Sequence, residues 1–193
     1  GIGTNELIIN GQKKLHADIE YTIIPDRIEA GTFLIAAAIT KGDILLINVN
    51  PDHMNIVLQY LQLAGMRLKI DKDTIHIMPS QSSIAPVDIA TNIYPGFPTD
   101  LQAQWMAFMT QANGYSIITE NIYTDRFTHI PELSRFGATI SLDGNKAFMK
   151  GNDTLIGAPV MSTDIRASAS LIIAALAAKG KSTISRIYHI DRG

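Results

Sequence analysis

Three stretches of the chain share one order of polar and apolar positions: an acid, a run apolar on nearly every face, and a glycine. Asp26-Arg27-Ile28-Glu29 leads into Phe33-Leu34-Ile35-Ala36-Ala37-Ala38 and closes at Lys41-Gly42. Asp100 leads into Trp105-Met106-Ala107-Phe108-Met109 and closes at Asn113-Gly114, and Asp164-Ile165-Arg166 leads into Leu171 to Ala178 and closes at Lys179-Gly180. From acid to glycine the distances are 16, 14 and 16 residues. The pattern predicts three helices, each with a carboxylate in its first turn, where the positive end of the helix dipole stabilises the ionised form. A surface helix shows one apolar stripe, whereas a helix apolar all round is buried. The first and third, Asp26 to Thr40 and Asp164 to Lys179, are of the second kind. Helices inside and sheet outside are therefore expected, the reverse of the usual α/β barrel.

The spacing continues between these helices. Gly42 to Gly65 and Gly114 to Gly137 are both 23 residues, and each second glycine closes a Leu-rich helix, His53 to Ala64 and His129 to Phe136. Asp43 to Val49, Ser116 to Asn121 and Lys181 to Tyr188 carry β-branched residues in strand-like alternation. The short pairs Arg67 to Ile70 with Thr74 to Met78, and Ala138 to Leu142 with Lys146 to Lys150, follow the second helices. The chain is thus an internal repeat of about 70 residues, strand, helix, strand, helix, strand, strand, with a third copy that stops early. Residues 1–22 are expected to form strand pieces, Glu6 to Ile9 and His16 to Ile19, about the turn Asn10-Gly11-Gln12. Before the central helix, the prolines and glycine of Tyr94-Pro95-Gly96-Phe97-Pro98 exclude regular structure, and Thr99 followed three residues later by Gln102 is a capping-box pattern.

At 193 residues, 46% of them apolar, the chain can bury an ordinary core as one large or two small domains. A net charge of -2 without any basic stripe argues against nucleic-acid or membrane-surface partners. There is no cysteine, hence neither disulfide nor thiolate metal site, and the 5 histidines lack paired ligand spacing, so no metal and no cofactor are expected. The longest apolar run, Leu171 to Ala178, is far shorter than a bilayer of about 30 Å requires, and a cytoplasmic protein is expected. Both ends look cut.

Helices that share one repeat and pack in parallel bring their N-termini to one end. Asp26, Asp100 and Asp164 would gather there, and Arg27, Arg126, Arg166 and Arg192 lie at or near equivalent strand ends or helix starts. Positive helix ends with guanidinium groups bind carboxylate or phosphate, and a carboxylate among them can accept a proton. Taken singly, an acid at a helix start is ordinarily a cap, and a surface arginine ordinarily pairs with a neighbouring acid. Recurrence at equivalent positions favours a site.

Five motifs then carry a family resemblance: Pro25-Asp26-Arg27-Ile28-Glu29-Ala30-Gly31-Thr32-Phe33; Tyr94 through Gln104; Thr119-Glu120-Asn121-Ile122-Tyr123 through Arg126-Phe127; Thr163-Asp164-Ile165-Arg166-Ala167-Ser168-Ala169; and His189-Ile190-Asp191-Arg192-Gly193. In that order and over essentially the whole chain they resemble the UDP-N-acetylglucosamine enolpyruvyl transferases, 1-carboxyvinyltransferases of peptidoglycan synthesis. The resemblance implies an α/β (α+β) fold, an inside-out α/β barrel of βαβαββ units, here with the third truncated. It implies that residues 1–23 are the tail of a neighbouring domain and 24–193 the barrel domain, in units of about 24–87, 88–152 and 153–193. The missing N-terminal domain would carry the family's loop cysteine, and this chain alone would be inactive. Residue by residue, Asp100 matches the carboxylate at the sugar 3-hydroxyl, proposed as general base. Asp164 matches an acid near the methylene carbon of phosphoenolpyruvate. Arg126, Arg166 and Arg192 match groups that hold its carboxylate or phosphate, Ile122 a backbone contact to the nucleotide sugar, and Arg27 with Asp26 a motif at the interdomain cleft. The implied partners are UDP-N-acetylglucosamine and phosphoenolpyruvate. The alternatives are 3-phosphoshikimate 1-carboxyvinyltransferase, which shares fold and reaction, and a substrate-binding module without turnover.

Overall fold

The chain enters its first helix, α1 (Arg27–Thr40), where the acid stands: Asp26 is the N-cap, and its side chain accepts the amides of Ile28 and Glu29. In this computed structural model residues 4, 6–80, 82–151 and 154–191 are described. After α1 come β1 (Ile44–Ile47), a 3-10 turn (Pro51–Met54), α2 (Asn55–Leu63), β2 (Arg67–Ile70) and β3 (Thr74–Met78). The middle third follows with β4 (Ile89–Ala90), a 3-10 turn (Thr99–Leu101), α3 (Gln102–Met109), β5 (Tyr115–Thr119), α4 (Ile130–Arg135), β6 (Thr139–Asp143) and β7 (Lys146–Lys150). The last third holds β8 (Pro159–Met161), α5 (Ile165–Ala177), β9 (Thr183–Ser185) and a 3-10 turn (Ile187–His189). The middle third therefore displays the whole β-α-β-α-β-β unit.

Three sheets form, ordered β1-β3-β2, β4-β5-β7-β6 and β8-β9. β4 runs parallel to β5 with Ile89 opposite Ile118, and β8 parallel to β9 with Val160 opposite Ile184, which are the same connection made twice around a helix. Alternation then decides which face is buried. Ile75 and Ile77 of β3, Ala147 and Met149 of β7, and Val160 of β8 point inward onto the helices.

Helices α1, α3 and α5 pack against one another inside these sheets, as the periodicity predicts. Which helix is most enclosed differs from expectation. Every residue of α3 is buried, whereas α1 leaves Phe33 54% exposed and α5 leaves Leu176 59% exposed. The cause is position: α3 has a neighbour on each side, with Gln104 Nε2 donating to Thr32 Oγ1 of α1 at 3.2 Å and α5 against its opposite flank.

Four local expectations give way. No capping box forms: Pro98 occupies the cap of the 3-10 turn, the Thr99 hydroxyl donates instead to the Glu120 carboxylate at 2.9 Å, and Gln102 is buried. The Glu120 carboxylate is fully buried, and donors must replace its lost water. Glu6 to Ile9 and His16 to Ile19 join no sheet among the described residues and lie exposed, because no apolar face receives them. The strand expected over Lys181 to Tyr188 contracts to β9, since Arg186 takes a left-handed φ of 59° and turns the chain into Ile187–His189. The central helix is shorter than its acid-to-glycine span: Thr99–Leu101 is a 3-10 turn and α3 ends at Met109.

Trp105 anchors the helical core. It is 0% exposed, with ring centroids of Phe108, Phe97 and Tyr60 at 5.4, 5.5 and 6.2 Å. Trp105→Ala is expected to lower the unfolding free energy by about 3–5 kcal/mol, the range for losing a large buried aromatic, measured by urea denaturation.

Candidate functional site

The N-termini of α3 and α5 meet at Asp100. Its Oδ1 accepts Arg126 Nη1 at 2.7 Å and Arg166 Nε at 3.2 Å, so one carboxylate oxygen is shared by two guanidinium groups. Burial by itself would raise the Asp100 pKa. The hydrogen bonds and charges of Arg126 and Arg166 together outweigh burial and hold the carboxyl below its ordinary value. All three side chains remain open to solvent, at 38% exposure for Asp100, 25% for Arg126 and 31% for Arg166, so they can reach a ligand.

Asp164 is the N-cap of α5, two residues before Arg166. Its Oδ1 caps α5 by accepting the amides of Arg166 at 2.8 Å and Ala167 at 2.9 Å, while the Thr128 hydroxyl donates to Oδ2 at 3.4 Å. One oxygen is thus committed to the helix, and the other faces only hydroxyl groups. The N-terminus of α1 closes the same end: Asp26 and Glu29 share with Arg166 a groove of about 550 Å³ between α1 and α5. Arg27 turns to the other side of α1, its guanidinium carbon 4.9 Å from the ring centroid of Tyr94, and joins no ion pair with the Asp100 cluster. The Ile122 amide is occupied, donating to Glu120 Oε1 at 2.9 Å. The residue itself remains partly open to solvent. Arg192 lies outside the described residues.

Two functional features escaped sequence reasoning. Glu120, 0% exposed, is a hydrogen-bond hub whose partners Thr91 and Thr99 are 29 and 21 residues away in the chain. The signals available were an acid ending the apolar run Ile117-Ile118-Thr119 and its place in the motif Thr119 through Phe127. His129, 1% exposed, points Nε2 at Met106 Sδ, 3.2 Å away, behind Arg126 and Asp164.

Comparison with known proteins adds the following. The family model described as EPSP synthase (3-phosphoshikimate 1-carboxyvinyltransferase) matches residues 1–193. The chain belongs to this family. Among its relatives, proteins named UDP-N-acetylglucosamine 1-carboxyvinyltransferase are 54% identical in Bartonella henselae, over 100% of this chain and 45% of the relative, and 49% identical in Koribacter versatilis, over 100% and 44%. The chain thus spans less than half the length of these relatives. The enolpyruvyl transferase NikO of Streptomyces tendae superposes with a TM-score of 0.81 at 26% identity, covering 90% of this chain and 41% of its own. EPSP synthase from Acinetobacter baumannii, at 19% identity and TM-score 0.68 over 84% of this chain and 41% of its own, shares the fold. Inside-out packing of repeated units is thus the architecture of this family member, here as three separate outer sheets.

Burial drives the His129 pKa from 6.5 down to about 4, with Asp164 opposing the shift and Arg126 adding to it. In the folded protein the ring is therefore neutral where the unfolded chain would carry a proton. Its contribution to stability is complete above pH 6.5 and disappears as pH falls from 6.5 through 4. Denaturation at stepped pH is expected to show a loss approaching roughly 3 kcal/mol across that window, reduced in His129→Phe.

Proposed function

We propose that this chain is the part of a UDP-N-acetylglucosamine 1-carboxyvinyltransferase that supplies the general base and anion-binding arginines. The supporting observation is the sharing of Asp100 between Arg126 and Arg166 at the open end of the helices. In the reaction, the sugar 3-hydroxyl gives its proton to Asp100 and its oxygen bonds to C2 of phosphoenolpyruvate, while C3 gains a proton. Loss of phosphate from C2 and of a proton from C3 then leaves the enol ether. Asp164 serves at C3 through the oxygen that capping leaves free. Arg126, Arg166 and Arg192 hold the carboxylate and phosphate of phosphoenolpyruvate. The Ile122 carbonyl accepts from the nucleotide sugar, since its amide is committed to Glu120.

The ion pairs also time the base. A carboxylate clamped by two guanidinium groups is a poor proton acceptor. When the anionic substrate draws on Arg126 and Arg166, their hold on Asp100 weakens and its basicity rises as the acceptor hydroxyl arrives. Asp26 and Arg27 face the cleft towards a second domain, residues 1–23 lead into that domain, and 24–193 form the barrel domain. The whole enzyme works in the cytoplasm at the first committed step of peptidoglycan synthesis, serving cell-wall growth, shape and division. Isolated, this chain would bind weakly and not turn over.

A chimera in which residues 1–193 replace the matching stretch of the Bartonella henselae relative tests this reading. Phosphate release is expected with UDP-N-acetylglucosamine and phosphoenolpyruvate, and none from the 193-residue chain alone. Release with shikimate 3-phosphate in place of the nucleotide sugar would transfer the reading to the other branch of the family. In the active chimera, Asp100→Asn is expected to lower kcat on the order of 10²-fold or more while the melting temperature stays nearly constant.

A further inference from the structure

Glu120 is a fully buried acid with no ion pair to balance it among the described residues. Such a group is tolerated only if hydrogen bonds replace its lost water. Four groups approach the carboxylate, and all of them donate. Oε1 accepts the Thr91 hydroxyl at 2.6 Å, the Ile122 amide at 2.9 Å and the Tyr123 amide at 3.0 Å. Oε2 accepts the Thr99 hydroxyl at 2.9 Å. Three bonds fall on Oε1 and one on Oε2, so both oxygens are held by protein donors.

These contacts belong to a closed circuit. Thr99 immediately precedes Asp100. On the other side, the Tyr123 carbonyl accepts the Arg126 amide at 2.9 Å, and the Tyr123 ring lies 5.5 Å below the Arg126 guanidinium carbon. Arg126 then closes the loop on Asp100 at 2.7 Å. The circuit runs from Glu120 through the loop of residues 121–126 to Arg126, across to Asp100, and back through Thr99. Asp100 and Arg126 sit on segments 26 residues apart in sequence, and Glu120 bonds both the Thr99 hydroxyl beside the first and the Tyr123 amide in the loop that leads to the second.

We propose that Glu120 is the positioning residue of this site: its carboxylate fixes the Thr99-Asp100 turn and the 121–126 loop in one register, so that Asp100 and Arg126 meet. The role rests on the reading of Asp100 and Arg126 given above. Glu120 touches no reacting group itself, because its side chain is fully buried and its oxygens are bonded to Thr91, Thr99, Ile122 and Tyr123. The requirement is geometric. A glutamine keeps Oε1 for the three donors and turns its amide nitrogen to Thr99, whose hydroxyl rotates to accept. Glu120→Gln therefore preserves the circuit, whereas Glu120→Ala removes both arms.

Carbon-detected NMR titration of the Asp100 carboxyl in the 193-residue chain gives a readout that needs no substrate. Glu120→Ala is expected to move the Asp100 midpoint upward by about 1 pH unit as Arg126 drifts away, and Glu120→Gln to return most of that shift. In the chimera, kcat is expected to fall about 10–100-fold for Glu120→Ala and to recover largely in Glu120→Gln. An unchanged Asp100 midpoint in folded Glu120→Ala overturns the proposal, as does Glu120→Gln matching the alanine variant. If Glu120→Ala does not fold, Thr99→Val cuts the Oε2 arm alone: a raised Asp100 midpoint supports the proposal and an unchanged one overturns it. A chimera without enolpyruvyl transfer would sink the functional reading while leaving the titration to decide the role of Glu120.

Discussion

The enclosure of α3 is the constraint on which the remaining structure depends. A helix with Trp105, Met106, Ala107, Phe108 and Met109 in succession has no face to give to water, so other elements must surround it. α1 and α5 take its flanks and the sheets are pushed outward. Helices of one repeat entering this packing in the same sense bring their N-termini together. The charged end of the molecule follows from an apolar middle.

At that end the electrostatics act against a simple base. Asp100 is drawn into ionisation by two arginines, and the same pairing holds the two guanidinium groups side by side. Asp164 shows how one acid divides its labour: one oxygen holds the helix start, the other is left towards hydroxyl groups. His129, buried and neutral near Asp164 and Arg126, fills the space beneath them without charge.

Repetition supplies the frame, and the copies depart from it in their polar contacts. The parallel pairing of β4 with β5 recurs in β8 with β9, so the two connections deliver Asp100 and Asp164 to matching places. Only the middle copy carries Glu120 at the end of its strand, and there the loop to Arg126 is tied down. The first copy uses its arginine differently, over the ring of Tyr94 rather than against an acid.

Much of this was legible in the residues themselves. Apolar runs foretold α1, α3 and α5, the acid-to-glycine spacing foretold the limits of α1 and α5 but overran α3, which ends at Met109, and β2, β3 and β7 stand on the residues marked for strands. Those signals are local, because a helix or strand is selected by side chains within a few positions of each other. The partners of polar groups were not legible. Thr99 and Gln102 form a capping pattern on paper, yet Thr99 turns to an acid 21 residues further on because that acid is buried and needs a donor. The sharing of Asp100 by Arg126 and Arg166, and the closing of the circuit through Glu120, join segments up to 66 residues apart. Sequence determined which elements form and which faces they bury; only tertiary packing decided which donor meets which acceptor, since hydrogen bonds depend on distances of a few tenths of an ångström that no local pattern encodes.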